Sequence, residues 1–222
     1  MRWLRRLFAE PQPEFAVRVW LTSEGKLADL ADRVQLDSHS GVYPLVVFHF
    51  PATGDRLIQT LQDRGVTYRL VEAFRDIEVG DVDRWRRVAD VLIFNSALLP
   101  WPANEQDAPV GKDDSLPAVS VHMAEPYPLT HRDRAVLALD RVWPMPMRFT
   151  CYSAMDDALI ERFVSPRLRR LLGWLGVTPD ECLEDPRLGK AIRRAQQDVE
   201  KKVINEYPCD SYEQWFRRNL PS

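Results

Sequence analysis

The sequence predicts a parallel α/β domain followed by a helical extension. Three observations predict it. Strand-like and helix-like segments alternate along the first two thirds of the chain. Two of the strand-like runs, Val42 to Phe50 (VYPLVVFHF) and Asp90 to Asn95 (DVLIFN), are apolar almost throughout, as parallel strands covered on both faces are. From Ser153 onward the text becomes a series of helix caps followed by apolar residues at helical spacing.

In chain order, Met1 to Phe8 is basic and amphipathic. It lacks the long apolar core and small-residue cleavage site of a signal peptide. Its Trp3, Leu4, Leu7 and Phe8 either pack on the domain or lie on a partner or a membrane surface. Pro11-Gln12-Pro13 closes this first unit, residues 1–13. Phe15 to Leu21 reads as a strand. Thr22 or Ser23 caps a helix that runs to Val34, with Leu27, Leu30, Ala31 and Val34 inward. After the Val42–Phe50 strand, Thr53 is expected to cap a helix carrying Leu57, Ile58 and Leu61 that ends at Gly65. Val66 to Val71 is a strand, Asp81 starts a helix holding Trp85 and Val88, and Asp90 to Asn95 is the second buried strand.

Proline, aspartate and small polar residues then mark Leu98 to Pro117 as an exposed loop. Ala118 to Met123 is a strand. Thr130 caps a helix burying Val136, Leu137 and Leu139, which Trp143-Pro144-Met145-Pro146 breaks. Arg148 begins the last strand, and residues 14–164 make one α/β unit. Ser153, three residues before Asp156, has near capping-box spacing for the helix of Leu159, Ile160 and Phe163. Residues 165–222 are the helical extension. Ser165-Pro166 opens a helix with Leu168, Leu171, Leu172 and Leu175, stopped by Gly176. Thr178-Pro179-Asp180-Glu181 is a further cap. Asp185-Pro186 caps a long helix whose buried stripe is Leu188, Ile192, Ala195, Val199 and Val203, and Tyr212, Trp215 and Phe216 mark a closing helix.

Bulk properties exclude several classes. The 222 residues carry a formal net charge of −3, so no global basic field draws the chain to nucleic acid. Cys151, Cys182 and Cys209 show no CxxC spacing, which argues for reduced thiols in the cytoplasm rather than a zinc site or a disulfide framework. No run approaches the length needed to cross a bilayer.

The residues from Arg148 to Glu200 resemble a known family. Arg148-Phe149, Ser153-Ala154-Met155-Asp156-Asp157, Leu159-Ile160, Arg162-Phe163, Leu175-Gly176, Glu184-Asp185-Pro186, Lys190-Ala191-Ile192, Ala195-Gln196 and Val199-Glu200 follow one another in an order similar to that of the SecA preprotein-translocase motor, where the second motor domain ends and the scaffold helix begins. Weaker likenesses precede them: Leu27 to Val34, Pro44 to His49, Arg64-Gly65-Val66-Thr67-Tyr68, Ile93 to Ala97 and Val119 to Glu125. The resemblance implies a RecA-like parallel sheet with flanking helices, the second domain of a helicase-type P-loop NTPase.

It also implies where chemistry should sit, and there the sequence departs from the family. No GxxxxGK[ST] is present: Gly111-Lys112 is followed by Asp113, and Gln106 stands where the earlier glycine belongs. The family's glycine-rich Gly-Arg-Gly-Thr-Asp loop corresponds to Leu98-Leu99-Pro100-Trp101-Pro102. Its arginine-finger segment is shortened to Arg141 followed by Val142-Trp143-Pro144-Met145-Pro146-Met147. An arginine of that kind is worth on the order of 10³ to 10⁵ in rate. The expectation is therefore a domain without catalytic residues, cofactor or metal, with Arg132, Arg134 and Arg141 as vestigial anion contacts.

Other side chains admit two readings. His122 and His131 around Glu125 and Asp133 are either metal-site material or a satisfied strand-end and helix-cap pair. Asp156, Asp157 and Glu161 are either a carboxylate cluster or first-turn acids that offset a helix dipole. Arg167, Arg169, Arg170, Arg193, Arg194, Lys201 and Lys202 are either a solvated face or a contact for an acidic partner. The expected function is a non-catalytic, SecA-like protein-binding or regulatory module in protein export. A translocase component or a preprotein is the expected partner, in the cytoplasm with peripheral contact at the inner face of the membrane through Trp3, Leu4, Leu7 and Phe8. The alternatives are the trans-acting half of a composite ATPase with a separate P-loop subunit, and a helicase-like nucleic-acid-binding module.

Overall fold

The computed structural model describes residues 15–73, 82–99, 110–163, 178 and 181–220. The expected amphipathic segment of residues 1–13, the helix after Ser165 and the boundary between residues 164 and 165 lie outside them.

Among the described residues, six strands form one sheet: β1 (Ala16–Trp20), β2 (Tyr43–Phe48), β3 (Tyr68–Leu70), β4 (Val91–Asn95), β5 (Val119–Met123) and β6 (Met147–Ala154). Their order is β1-β6-β5-β2-β4-β3, and every neighbouring pair is parallel. The helices are α1 (Ser23–His39), α2 (Pro51–Asp63), α3 (Val82–Val88), α4 (Thr130–Leu137), α5 (Leu139–Val142), α6 (Ala158–Phe163), α7 (Pro186–Glu200) and α8 (Tyr212–Asn219). A parallel sheet with flanking helices and a helical C-terminal part is the class the sequence predicts.

The period-2 alternation of a strand sorts the apolar residues onto two faces. Leu45, Val47, Leu92, Phe94, Val121 and Met123 share one core with Trp85 of α3, Val136 of α4 and Trp143. Val46, Val91 and Ile93 share the other with Leu27, Leu30 and Val34 of α1 and Leu57 and Leu61 of α2. A third core joins Val19, Phe50, Tyr127, Leu129 and Met155 to α6, α7 and α8, so α7 and α8 pack on the sheet-bearing unit itself. Of the predicted inward stripe of α7, Ile192, Ala195 and Val199 are buried, whereas Leu188 is only partly buried and Val203, also partly buried, lies past the end of the helix at Glu200. Asp185 caps that helix by accepting from the Arg187 amide at 2.8 Å.

Several boundaries differ from expectation for identifiable reasons. Thr22 caps α1 as predicted, accepting from the Gly25 amide. The helix nevertheless runs past Val34 to His39, because the stop is Gly41 at φ +81° and not the end of the apolar stripe. Helix α2 begins at Pro51, with Phe50 rather than Thr53 at the cap position, since a first-turn proline is already set for the helix. Thr130 is the first residue of α4 and not its cap: its amide and hydroxyl both donate to Glu200 of α7, at 2.7 and 2.6 Å. Ser153 does not cap α6. It is a buried residue of β6 whose hydroxyl donates to Asp157. Leu98 and Leu99, expected in an exposed loop, pack into the first core after a 3-10 turn at Ser96–Leu98.

Gly54 lies against the ring of Phe48, and a Cβ there would meet Phe48 Cε2 at 2.7 Å and Cζ at 2.8 Å. Gly54→Ala would gain up to about 1 kcal/mol in helix propensity but force a buried ring aside at about 1–3 kcal/mol. Urea unfolding is expected to show a net loss of about 1 kcal/mol, where an exposed helical glycine would show a gain.

Candidate functional site at the carboxyl ends of the strands

Open parallel sheets bind ligands outside the carboxyl ends of their strands, often with an anion on the free amides of a following helix. In this chain that edge is built from the residues after β1, β2, β4, β5 and β6, and they bond to one another.

The first group surrounds Glu125, which follows β5 and is 2% exposed. Its carboxyl group accepts from the amides of His49 and Phe50 at 3.0 and 3.1 Å and from the Thr53 hydroxyl. Pro51 has no amide hydrogen to offer. The Ala52 amide donates to the carbonyl of Asp210, in the segment leading to α8, at 3.0 Å. The Thr53 and Gly54 amides both turn back to the Phe50 carbonyl. The leading end of α2, where a phosphate would sit, is thus occupied by the chain's own groups. Burial pushes the Glu125 carboxyl up, against the pull of Lys26, His49 and the hydrogen bonds it accepts.

The second group is a buried chain of Ser96, His49 and Asp133. Ser96 Oγ lies 2.7 Å from His49 Nδ1, and His49 Nε2 lies 3.2 Å from Asp133 Oδ1. Asp133 also accepts from the Tyr127 amide and from Gln196 of α7, at 2.9 and 2.7 Å. The residue types and order suit nucleophilic catalysis. The surroundings do not: Ser96 is 2% exposed, and the neighbouring Ala97 amide, a natural oxyanion donor, is taken by Asn95 Oδ1 at 2.8 Å. The chain ties β2, β4, α4 and α7 together.

The third group is the ion pair of Lys26 and Asp157, with contacts of 2.8 and 3.1 Å between side chains only 4% and 7% exposed. Asp157 further accepts from the Ala154 amide and the Ser153 hydroxyl, and Asp156 accepts from the amide and hydroxyl of Ser23. The two aspartates thus fasten the start of α1 to the β6–α6 turn, a role that neither the carboxylate-cluster nor the helix-dipole reading foresees.

Helix α8 covers this edge. Trp215 is fully buried and donates from Nε1 to the Tyr127 hydroxyl at 3.1 Å, and Tyr212 donates to the Pro126 carbonyl at 2.6 Å. Tyr127 in turn donates to Glu206 and stacks on Phe50, with ring centroids 5.5 Å apart.

The three arginines singled out in the sequence are not brought together. Arg132 lies over the Tyr127 ring at 5.9 Å, near the carboxyl edge. Arg134 is exposed on the outer side of α4. Arg141, in α5 just before β6 begins, lies at the amino ends of the strands, where its carbonyl accepts from the Val110 amide. The Lys112 ammonium of Gly111-Lys112 is bound to backbone carbonyls of the α5–β6 turn.

His122 and His131 also diverge. His122 faces α1 and contacts Asp37 at 2.9 Å, Ser120 at 2.8 Å and Tyr152 at 3.0 Å, whereas His131 approaches Glu206. Among the described residues, no three His, Cys, Asp or Glu side chains converge on a metal position. No described helix is long and apolar enough to cross a membrane.

Burial tends to raise the Asp37 carboxyl, but the bonds with His122 and Ser120 outweigh it and hold the group below its ordinary value of 3.8. A carboxyl with a lowered folded value stabilises the fold above its unfolded value and loses that contribution as pH falls through the folded one. Asp37→Asn is therefore expected to flatten the acid limb of the stability–pH curve below about pH 4, as followed by urea midpoints.

Sequence reasoning missed Ser96, His49, Lys26 and the role of Glu125. A usable signal existed: His49 and Ser96 directly follow the apolar runs of β2 and β4, where a parallel strand delivers its next side chains to the carboxyl edge.

No family model matches the chain. Among solved structures, it is similar to the C-terminal domain of a possible DNA helicase from Lactobacillus plantarum WCFS1, with 17% identity, 65% of this chain and 74% of that chain covered, and a TM-score of 0.38. It is similar to the Hef helicase domain of Pyrococcus furiosus, with 19% identity, 62% and 27% covered, and a TM-score of 0.38. It is also similar to the E. coli DEAD-box protein SrmB, solved bound to regulator of ribonuclease activity A, with 15% identity, 70% and 88% covered, and a TM-score of 0.39. Likeness at these scores assigns neither activity nor partner.

Proposed function

We propose that the chain is a non-catalytic relative of the helicase-type RecA-like motor domains, SecA-like in lineage, that works by binding a protein. The observation that carries this reading is the leading end of α2. The amides of His49 and Phe50 just before it are bonded to Glu125, the Ala52 amide in its first turn is bonded to the Asp210 carbonyl, and α8 lies over them. A phosphate would have to displace a buried carboxyl group and a packed helix at once. Of the Gly-Lys pairs, Gly25-Lys26 opens α1 at this edge, but its ammonium is held in the buried ion pair with Asp157, and Lys112 of Gly111-Lys112 is bound at the opposite edge. The composite-ATPase reading needs an arginine at the carboxyl edge that is free to reach phosphate, and Arg132 there lies against Tyr127. The nucleic-acid reading gains nothing from a net charge of −3.

The ordered series from Arg148 to Glu200 supports the SecA lineage, and with it a partner in protein export, a translocase component or a preprotein. Affinity capture from native extract, with mass spectrometry of the bound fraction, tests this: the reading expects export components, retained at moderate salt. Recovery of nucleic-acid enzymes alone, or salt-sensitive retention of labelled single strands, would contradict it.

A further inference from the structure

The turn between α5 and β6 is unusually rich in carbonyl oxygen. Pro144 and Pro146 contribute acceptors and no amide hydrogens, and the short α5 leaves its last carbonyls without helical partners. The segment before β5 takes up these oxygens. The amides of Val110, Asp113 and Val119 donate to the carbonyls of Arg141, Pro144 and Pro146 at 2.9, 2.8 and 2.9 Å. Lys112 serves the others: its Nζ lies 2.6 Å from the Asp140 carbonyl, 3.1 Å from those of Trp143 and Met145, and 2.8 Å from the Asp140 carboxylate.

We propose that this turn is a cage for a small monovalent cation, potassium or ammonium in class, which the protein fills with the ammonium group of its own Lys112. Four oxygens converge on one point, three carbonyls and a single carboxylate, and the charge of one carboxylate matches one positive charge. All four donors are hard oxygens, which favour ions of the alkali and alkaline-earth kind over softer metals. All four distances exceed magnesium's about 2.0–2.1 Å, and three of them, 2.8–3.1 Å, also exceed calcium's about 2.3–2.6 Å, with the Asp140 carbonyl at 2.6 Å on that limit. An ammonium has three hydrogens for these four acceptors, so one hydrogen is shared. A spherical ion of similar size satisfies the same set without that constraint. The cage is independent of the carboxyl edge, so its fate does not decide the reading of that edge.

The test is Lys112→Ala in tetramethylammonium chloride, whose cation is too large for the cage. The variant is expected to lose about 5 °C in Tm relative to the wild type there. Replacing the salt by potassium or ammonium chloride at constant ionic strength should restore most of the loss, saturably, and leave the wild type unmoved. The double variant Lys112→Ala/Asp140→Asn should not be rescued. If Lys112→Ala does not fold in tetramethylammonium chloride, its refolding yield is compared between that salt and potassium chloride. Folding in potassium chloride alone supports the cage, and failure in both overturns it. Equal responses of variant and wild type to the small cations, or no loss on removing Lys112, also overturn it.

Discussion

Trp215→Ala is expected to cost about 3–5 kcal/mol of stability, the range for deleting a large buried aromatic side chain. Trp215 is fully buried at the centre of α8, beside Phe216, and it holds Tyr127 through its indole N–H. Tyr127 in turn stacks on Phe50, the residue just before α2. The loss should therefore spread beyond α8. The Ala52 amide, bonded to the Asp210 carbonyl just ahead of α8, should exchange with solvent faster in the variant. Urea unfolding gives the first quantity and hydrogen exchange the second. A loss below about 1 kcal/mol with unchanged exchange at Ala52 would mean that α8 is an appendage and not a cover.

Lys26→Met is expected to cost about 3–5 kcal/mol as well, for an electrostatic reason. Exposed ion pairs contribute about 0–1 kcal/mol, but this one is almost fully enclosed, and removing the ammonium leaves the Asp157 carboxylate buried without its counter-charge. Glu125 would lose the same stabilising charge nearby. Lys26→Met/Asp157→Asn removes the stranded charge while keeping an oxygen for the Ala154 amide, and should recover most of the loss. A double variant no better than the single one would show that packing of the lysine stem, and not charge, sets the cost. Equilibrium unfolding in urea separates these outcomes.

How much of this was legible in the sequence differs from element to element. The buried strands were plain because a strand covered on both faces has to be apolar at every position, as Tyr43–Phe48 and Val91–Phe94 are. The caps at Thr22 and Asp185 were plain because a cap is local: its donor and acceptor lie within three residues. Thr53, Thr130 and Ser153 looked like caps by the same local rule and are not. Their hydroxyls serve Glu125, Glu200 and Asp157, of which only the last is near in sequence. The carboxyl edge was illegible for the same reason at larger scale. Lys26 and Asp157 are 131 residues apart, and Glu125 lies 76 residues from His49. No spacing rule links such residues; only the strand order brings them together. Arg132 and Arg141 show the converse error. They are close in sequence, but a helical segment carries them to opposite ends of the sheet.

The central claim is that the edge where such a sheet would hold nucleotide is filled by the chain itself. Isothermal titration of the whole protein with ATP, and separately with ADP, in magnesium buffer tests it most directly. The account predicts no saturable heat into the millimolar range, whereas micromolar binding of either nucleotide by the protein alone would contradict it.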